Sequence, residues 1–479
     1  MLSTTLGCLF SIFSYILCTC EARDLVGGQS GTIPASFPPY LGGNSPWFPG
    51  PNVNDIPNKV PTGCKVDMAA FTSRHGSRYP DPGAYQEWID FYAKLQNASF
   101  TATGSLAFIK SWKPVLTDPA QQIAKLSPGG HKELYDMGVN YRFRYPQLFK
   151  EDTPFITWAN LYPASPRVVD SARLFARGYL GPSSSTLGTV IALNASSPLA
   201  LFNSLAASDL CPAYKDFGTS SEAYLNWNSK YGPPIVARLN RLLRGSLTLT
   251  LADVTRMPYL CGFETQILGF TSPWCAVLSD SELSSYAYAQ DLRYWYGPGP
   301  GAAGANNTLM LPFLSALVRR FQDGPRNGET HSDGTNVTAL PDLIATFTND
   351  GQVNQLIAQL GVFDDQTPLI GNSIPRTRKY QTSRFTTMRG TVGFERLVCG
   401  VNNTPYIRIM LNDAIYPIVG CESGPGKSCP LDRYGQIIDK KKKKIGSLGK
   451  ACGIEGDEGN EITTFLMDSN LPFAIRFAA

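Results

Sequence analysis

The apolar run through Val66, Met68, Ala69, Ala70 and Phe71 leads into Arg74-His75-Gly76-Ser77-Arg78-Tyr79-Pro80, and this junction constrains the fold more than any other part of the chain. A short apolar run of this kind reads as a buried strand, and Pro80 forbids its continuation as regular sheet or helix interior. His75 is therefore expected where a strand gives way to a loop, the place at which open α/β sheets bind ligands. Gly76 removes a side chain beside the histidine, so a substrate can approach closely. The chain has only three histidines in 479 residues, and this one stands between two arginines. A neutral imidazole can accept a phosphoryl group without a metal when its surroundings offset the incoming charge. Arginine supplies that offset as a planar, permanently charged fork that grips two phosphate oxygens at once. The other reading is an exposed basic turn with a satisfied histidine, and these residues alone do not choose between the two.

Around the junction, strand and helix signals alternate from about 61 to 204. A helix is expected around 84–95 and another over 128–141, followed by an apolar strand at 154–159 leading to Arg167. From there Val168, Ala172, Phe175 and Tyr179 fall on one side of a helix. Such alternation argues for an α/β core. Over 205–330 the pattern turns helical, through Ile235, Leu239, Leu242 and Leu243 and again through Leu311, Phe313, Leu314, Leu317 and Val318. Pro298 and Pro300 with nearby glycines are expected to end a long helix there. The segment 331–479 returns to the core, with 343–348 reading as a strand that ends at Asn349 and Asp350. Residues 23–60, rich in Gly, Pro, Ser and Asn, read as an arm lying over the globule.

The formal charge is +4, and five positive residues are the single run Lys440 to Lys444. The remainder is nearly balanced, which points to neither nucleic acid nor a membrane surface as partner. The run itself reads as a solvated face rather than a dock for a polyanion. Residues 1–22 resemble a signal peptide, apolar through Leu6, Leu9, Phe10, Ile12 and Phe13 with small residues near Cys20 to Ala22, although the leading basic residue is lacking. Cleavage there removes Cys8, Cys18 and Cys20 from the eleven cysteines. An even set remains, and pairing is expected in an oxidising compartment, although on the order of a hundred pairings are open. Sequons at Asn97, Asn194, Asn306, Asn336 and Asn402 fit a glycosylated extracellular or cell-wall protein. No Cys/His or HExxH spacing suggests zinc, and no Walker loop or GxGxxG precedes a helix. His131 and His331 read as structural or exposed.

From about Pro61 to its C-terminus the chain resembles the fungal-type histidine acid phosphatases, the family of many secreted acid phosphatases and phytases. Arg74-His75-Gly76-x-Arg78-x-Pro80 matches the family signature. The stretch from Gly129 through His131-Lys132-Glu133 to Gly138 is similar to the helix that follows it, and Arg167-Val168-Val169-Asp170-Ser171-Ala172 to the segment carrying a third phosphate-binding arginine. Further matches are Leu260-Cys261, Ser272-Pro273-Trp274-Cys275, Asp291-Leu292-Arg293-Tyr294-Trp295-Tyr296 and Glu395-Arg396-Leu397-Val398-Cys399.

The resemblance implies an α/β core with a central mixed sheet flanked by helices, in a phosphoglycerate-mutase-like fold, with a smaller helical domain over 205–330 roofing the cleft. It implies hydrolysis of phosphate monoesters and no cofactor, and leaves open whether the enzyme is a phytase or a broad-specificity phosphatase. His75 takes the role of nucleophile, Arg74, Arg78 and Arg167 bind phosphate, and Asp350 gives a proton to the leaving alcohol. An ordinary aspartate pKa of about 3.9 then implies an acidic optimum. The implied disulfides are Cys64 with Cys399, Cys211 with Cys452, Cys261 with Cys275 and Cys421 with Cys429. The first would tie the strand before His75 to a distant segment and brace the site. One position departs from the pattern: the family's His-Asp pair reads Asn349-Asp350 here. An asparagine amide can also donate a hydrogen bond to phosphate, so turnover is expected to survive. The alternatives are a catalytically impaired phosphate-binding wall protein and a mutase-like transferase, the latter opposed by the signal-like start and the long helical segment.

Overall fold

The strand expected before His75 is β1 (Cys64–Arg74), buried from Met68 onward. In the computed structural model, residues 37–161, 166–194, 198–325, 340–454, 461–467, 471 and 473–479 are described. The signal-peptide reading of 1–22, His331 and the Asn336 sequon lie outside these residues. After β1 come β2 (Phe100–Ala102), β3 (Phe155–Leu161), β4 (Gly188–Asn194), β5 (Leu243–Gly245), β6 (Leu343–Thr348), β7 (Thr391–Cys399), β8 (Thr404–Leu411), β9 (Ala414–Ile415), β10 (Cys429–Pro430) and β11 (Ala474–Ala478). The helices are α1 (Pro82–Asn97), α2 (Pro119–Gln122), α3 (Pro128–Arg144), α4 (Arg167–Leu180), α5 (Ser184–Leu187), α6 (Glu222–Asn240), α7 (Leu251–Leu268), α8 (Asp280–Tyr296), α9 (Leu311–Asp323), α10 (Asp350–Gln359), α11 (Leu431–Ile445) and α12 (Leu448–Ala451).

A mixed sheet runs in the order β10-β8-β7-β1-β6-β3-β4-β11, with β9 paired to β8. Its centre, β1-β6-β3-β4, is parallel, and antiparallel strands close it on both sides. Strands buried on both faces read as continuous apolar runs, which is why β1, β3 and β6 stand out in the sequence. Alternate residues of β1 serve opposite faces. Phe71 enters one cluster with Tyr141 of α3, Phe175 of α4 and Phe347 of β6, at ring separations of 4.7, 4.9 and 5.4 Å. Met68 and Ala70 enter the other, beneath α9, α10 and α11.

The packing cuts across the boundaries expected at 205 and 330. Helix α1, expected in the core, packs its Trp88 on Phe263 of α7 and its Phe91 on Trp274, at 6.2 and 5.7 Å. Strand β2 pairs with β5 from the helical stretch. Helix α9, expected in the insert, lies on α11 against the sheet, its buried Arg320 directed to Asp342 and to Met68 of β1. The reason is amphipathicity: each helix goes where its apolar stripe finds a complementary surface, whatever its place along the chain. Leu242 and Leu243 also differ from expectation, since α6 ends at Asn240 and Leu243 begins β5.

All four cysteine pairs named above are bonded in the structure. Cys64 opens β1 whereas His75 follows its other end, so the Cys64–Cys399 bridge fixes the β1–β7 pairing and does not touch the site. Asn306 is a correction of another kind. It is buried, its amide donating to the Lys215 carbonyl at 2.5 Å and its oxygen accepting from the Lys215 N–H, so the folded chain presents nothing there for a glycan. Asn97 and Asn402 are exposed and Asn194 is half-buried. The lysine run closes α11, with Lys442, Lys443 and Lys444 in the last turn, where positive charge is favourable to the helix dipole, and Lys441 pairs with Asp364 at 2.9 Å.

Candidate active site

Parallel pairing of β1 with β6, in register Arg74 opposite Thr348, brings two distant segments together at the carboxyl ends of the strands. The His75 N–H donates to the Thr348 carbonyl at 3.0 Å, so the histidine sits beside the Asn349-Asp350 step. Asn349 caps the N-terminus of α10 and Asp350 is its first residue; the Asn349 side chain is half-buried and makes no hydrogen bond to its own helix.

His75 is 1 % exposed. Its Nδ1 lies 2.9 Å from the Gly76 carbonyl, an acceptor only, so Nδ1 carries the hydrogen and Nε2 keeps its lone pair. Burial, and then the charges of Arg167, Arg74 and Arg78, hold its pKa well below the ordinary histidine value, so the ring is neutral.

Three arginines surround the ring, Arg74 and Arg78 from the signature stretch and Arg167 from a separate segment. Arg74 Nη1 donates to the Gly43 and Thr386 carbonyls at 2.6 and 3.0 Å, while Nη2 lies 3.7 Å from Asp350 Oδ1. Arg78 Nη2 and Arg167 Nη1 converge on the two oxygens of Asp81, at 2.8 and 3.1 Å. Arg167 opens α4. Burial, with Arg78 next, brings its guanidinium down to about 10, which leaves it charged throughout the acid and neutral range.

Asp350 departs from the expected protonated donor. Burial pushes its carboxyl up, but the charges of Arg74 and Arg293 and the Tyr294 hydroxyl outweigh burial and hold it far below the ordinary aspartate value. Tyr294 Oη donates to Asp350 Oδ2 at 2.5 Å. Asp350 is therefore a carboxylate here, in place of the carboxylic acid that the resemblance implies.

The signature loop is held from beneath by Glu133 of α3, fully buried. Its carboxylate accepts from the Ser77 N–H at 2.8 Å, the Ser77 hydroxyl at 2.7 Å and the Trp47 N–H at 3.2 Å. Ser171 Oγ accepts from the Gly76 N–H at 3.2 Å, and Gln266 Nε2 donates to the Arg78 carbonyl at 2.6 Å. Sequence reasoning assigned no role to Glu133, Ser171, Gln266, Tyr294 or Arg293. Glu133 does carry a signal, because it falls in step with Met137 and Tyr141 on a buried helix stripe, where a carboxylate needs a partner. His131, from the same helix, is exposed.

Helix α3 approaches this loop so closely that a Cβ on Gly130 would lie 1.9 Å from the Ser77 carbonyl oxygen. Gly130→Ala is expected to force the loop and helix apart, costing about 3 kcal/mol in urea unfolding and most of the activity. A variant with unchanged midpoint and rate would show that the contact is not required.

With this geometry in place, the comparisons are specific. The family model of the histidine phosphatase superfamily (branch 2) matches residues 65–412. The thiamine-repressible acid phosphatase pho4 of Schizosaccharomyces pombe is 30 % identical over 416 residues, covering 82 % of this chain and 84 % of that protein. The phytase PHO112 of Candida albicans is 28 % identical over 447 residues, covering 91 % and 90 %. Among solved structures, the phytase from D. castellii superposes with a TM-score of 0.79 at 23 % identity over 91 % of each chain, a likeness of fold. These relatives carry the names of enzymes and lend no support to a non-catalytic binding protein.

Proposed function

The chain belongs to branch 2 of the histidine phosphatase superfamily and is a histidine acid phosphatase, and on that premise we propose that it hydrolyses phosphate monoesters through a phosphohistidine on His75. The observation that carries this reading is the neutral imidazole with its Nδ1 hydrogen held by Gly76, its other nitrogen left as nucleophile, and Arg74, Arg78 and Arg167 around it. His75 Nε2 bonds to phosphorus as the bond to the ester oxygen breaks, and Asp350 gives that oxygen a proton. The Asp350 carboxylate next takes a proton from water as the water oxygen bonds to phosphorus and the N–P bond breaks, which releases phosphate. The arginines stabilise charge on the equatorial oxygens. Asn349 supplies a neutral hydrogen bond in place of the family's histidine.

Alkaline quenching during turnover of a phosphorus-labelled monoester is expected to leave label, stable to base and lost in acid, on the peptide that contains His75. Label on a hydroxyl residue, or none, would overturn the reading. Names of relatives such as phytase extend the proposed substrates to inositol phosphates. The four disulfides favour the signal-like start as a secretion signal, because such bonds persist in oxidising compartments. Among the described residues no helix is long and apolar enough to cross a membrane.

The charge state of Asp350 moves the origin of the acid preference from enzyme to substrate. Since the free protein holds this group as a carboxylate, the proton it donates arrives with a monoanionic substrate. A monoester's second ionisation lies near pH ~6. We therefore expect kcat/KM to fall as the pH rises through that value, and the break to move upward for an ester with a higher second pKa. A break at one pH for every substrate would place control on an enzyme group instead.

A further inference from the structure

The segment just before β1 crosses the site at one point, and three functional groups meet there. The Gly43 carbonyl accepts from Arg74 Nη1 at 2.6 Å. On the other side of the same residue lies the Tyr294 hydroxyl, which donates to Asp350. A Cβ on Gly43 would stand 2.4 Å from Tyr294 Oη, 3.2 Å from its ring carbon and 3.4 Å from Arg74 Nη1. The tyrosine can reach the carboxylate only because this position has no side chain.

Neighbouring bonds fasten the segment on both sides of the cleft. The Gly42 N–H donates to Ser383 Oγ at 3.1 Å, Asn44 Nδ2 to Tyr286 Oη at 2.8 Å, and the Trp47 N–H to Glu133. Met388 N–H donates to the Ser45 carbonyl, and the Trp47 ring lies 3.5 Å from the Arg389 guanidinium carbon. The crossing is thus held by α3 and α8 as well as by the stretch before β7.

We infer that Gly43 and Tyr294 are positioning residues for the reaction: Tyr294 aims the Asp350 carboxyl and sets how readily it keeps its proton, and Gly43 leaves the space that this requires. The inference rests on the proton-donor reading of Asp350. Tyr294 can act as the donor because burial and Asp350 push its hydroxyl up to about 12, so it stays protonated at working pH. The groups that act electrostatically on Asp350 come from several elements: Arg74 of β1, His75 after it, Arg167 of α4, Arg293 and Tyr294 of α8, and Tyr214 from the loop before α6. Of these, Tyr294 hydrogen-bonds the carboxylate directly without carrying a charge. A hydrogen bond donated to a carboxylate favours its ionised form, so removing it lets Asp350 hold its proton to higher pH.

The test compares Tyr294→Phe, Gly43→Ala and the double variant in the full chain. The readout is the pH dependence of kcat on glycerol phosphate, a poor leaving group, with p-nitrophenyl phosphate as control. Tyr294→Phe keeps the ring and loses only the hydroxyl, so it remains informative even if Gly43→Ala folds poorly. We expect the alkaline limb for glycerol phosphate to move up by about one pH unit in either single variant, and no further in the double variant, because both break one contact. The limb for p-nitrophenyl phosphate should barely move. An unmoved limb in Tyr294→Phe overturns the inference, and an unmoved limb in Gly43→Ala alone removes Gly43 from it. Asp350→Asn run alongside separates the two levels: without a leaving-group effect in that variant, the proton-donor reading itself fails, and this inference with it.

Discussion

His75→Ala is expected to lower kcat/KM for p-nitrophenyl phosphate at least ~10⁴-fold, equivalent to about 5.5 kcal/mol of transition-state stabilisation. The reason is local: the Ser77 hydroxyl of the signature loop is tied to Glu133 beneath it, and the three arginines can bind a phosphate but cannot accept a phosphoryl group. The main chain should survive the change. The His75 N–H bond to Thr348 and the Arg389 N–H bond to the His75 carbonyl do not involve the side chain. Inhibition by inorganic phosphate should therefore persist, since Arg74, Arg78 and Arg167 remain. Steady-state kinetics with a phosphate inhibition series checks both halves. Turnover near that of the parent would sink the nucleophile assignment, and loss of phosphate inhibition together with a lowered unfolding midpoint would mean that the loop had collapsed.

Asp350→Asn should produce the second largest effect, and an uneven one. The amide can occupy the same place and accept the Tyr294 hydrogen bond, but it has no proton to give. General acid catalysis contributes about 10²–10⁴-fold, most where the leaving alcohol is a strong base. A loss of about 10³-fold is expected on glycerol phosphate and about tenfold or less on p-nitrophenyl phosphate. Equal losses on the two esters would argue against proton donation. The variant should also lose stability in a pH-dependent way. The folded chain holds this carboxyl below its unfolded value, so its contribution is fully present above about pH 4 and fades as the pH falls toward the folded value. Urea midpoints of parent and variant should accordingly differ at neutral pH and converge in strong acid.

Much of the site was legible because its chemistry is local in the chain. Arg74, His75, Gly76 and Arg78 are near neighbours in sequence, and the apolar run before them marks a strand whatever it pairs with. Helices α3 and α4 were legible for a similar reason, as Val168, Ala172 and Phe175 keep helical spacing over the whole element. Where the reading missed, the information was non-local. Nothing near Leu243 says that it leaves α6 to pair with Ala102. The sequon at Asn306 reads the same whether its amide faces water or, as here, the Lys215 backbone. Tyr294 lies on α8, a helix expected only as part of the roof, and nothing in its surroundings in sequence points to Asp350.

Residue identity and periodicity act over a few neighbours, so the chain alone marked His75 as the candidate nucleophile, together with the arginines and the elements that carry them. Tertiary structure decided how these parts face one another. Pairing of β1 with β6 set His75 beside Asp350, and the close approach of Gly43 to Tyr294 set the carboxyl's hydrogen bond. It also decided the carboxyl's charge. That charge is a sum over Arg74, Arg293, Tyr294 and His75, which belong to separate segments, and electrostatic energy depends on distances that no local pattern encodes.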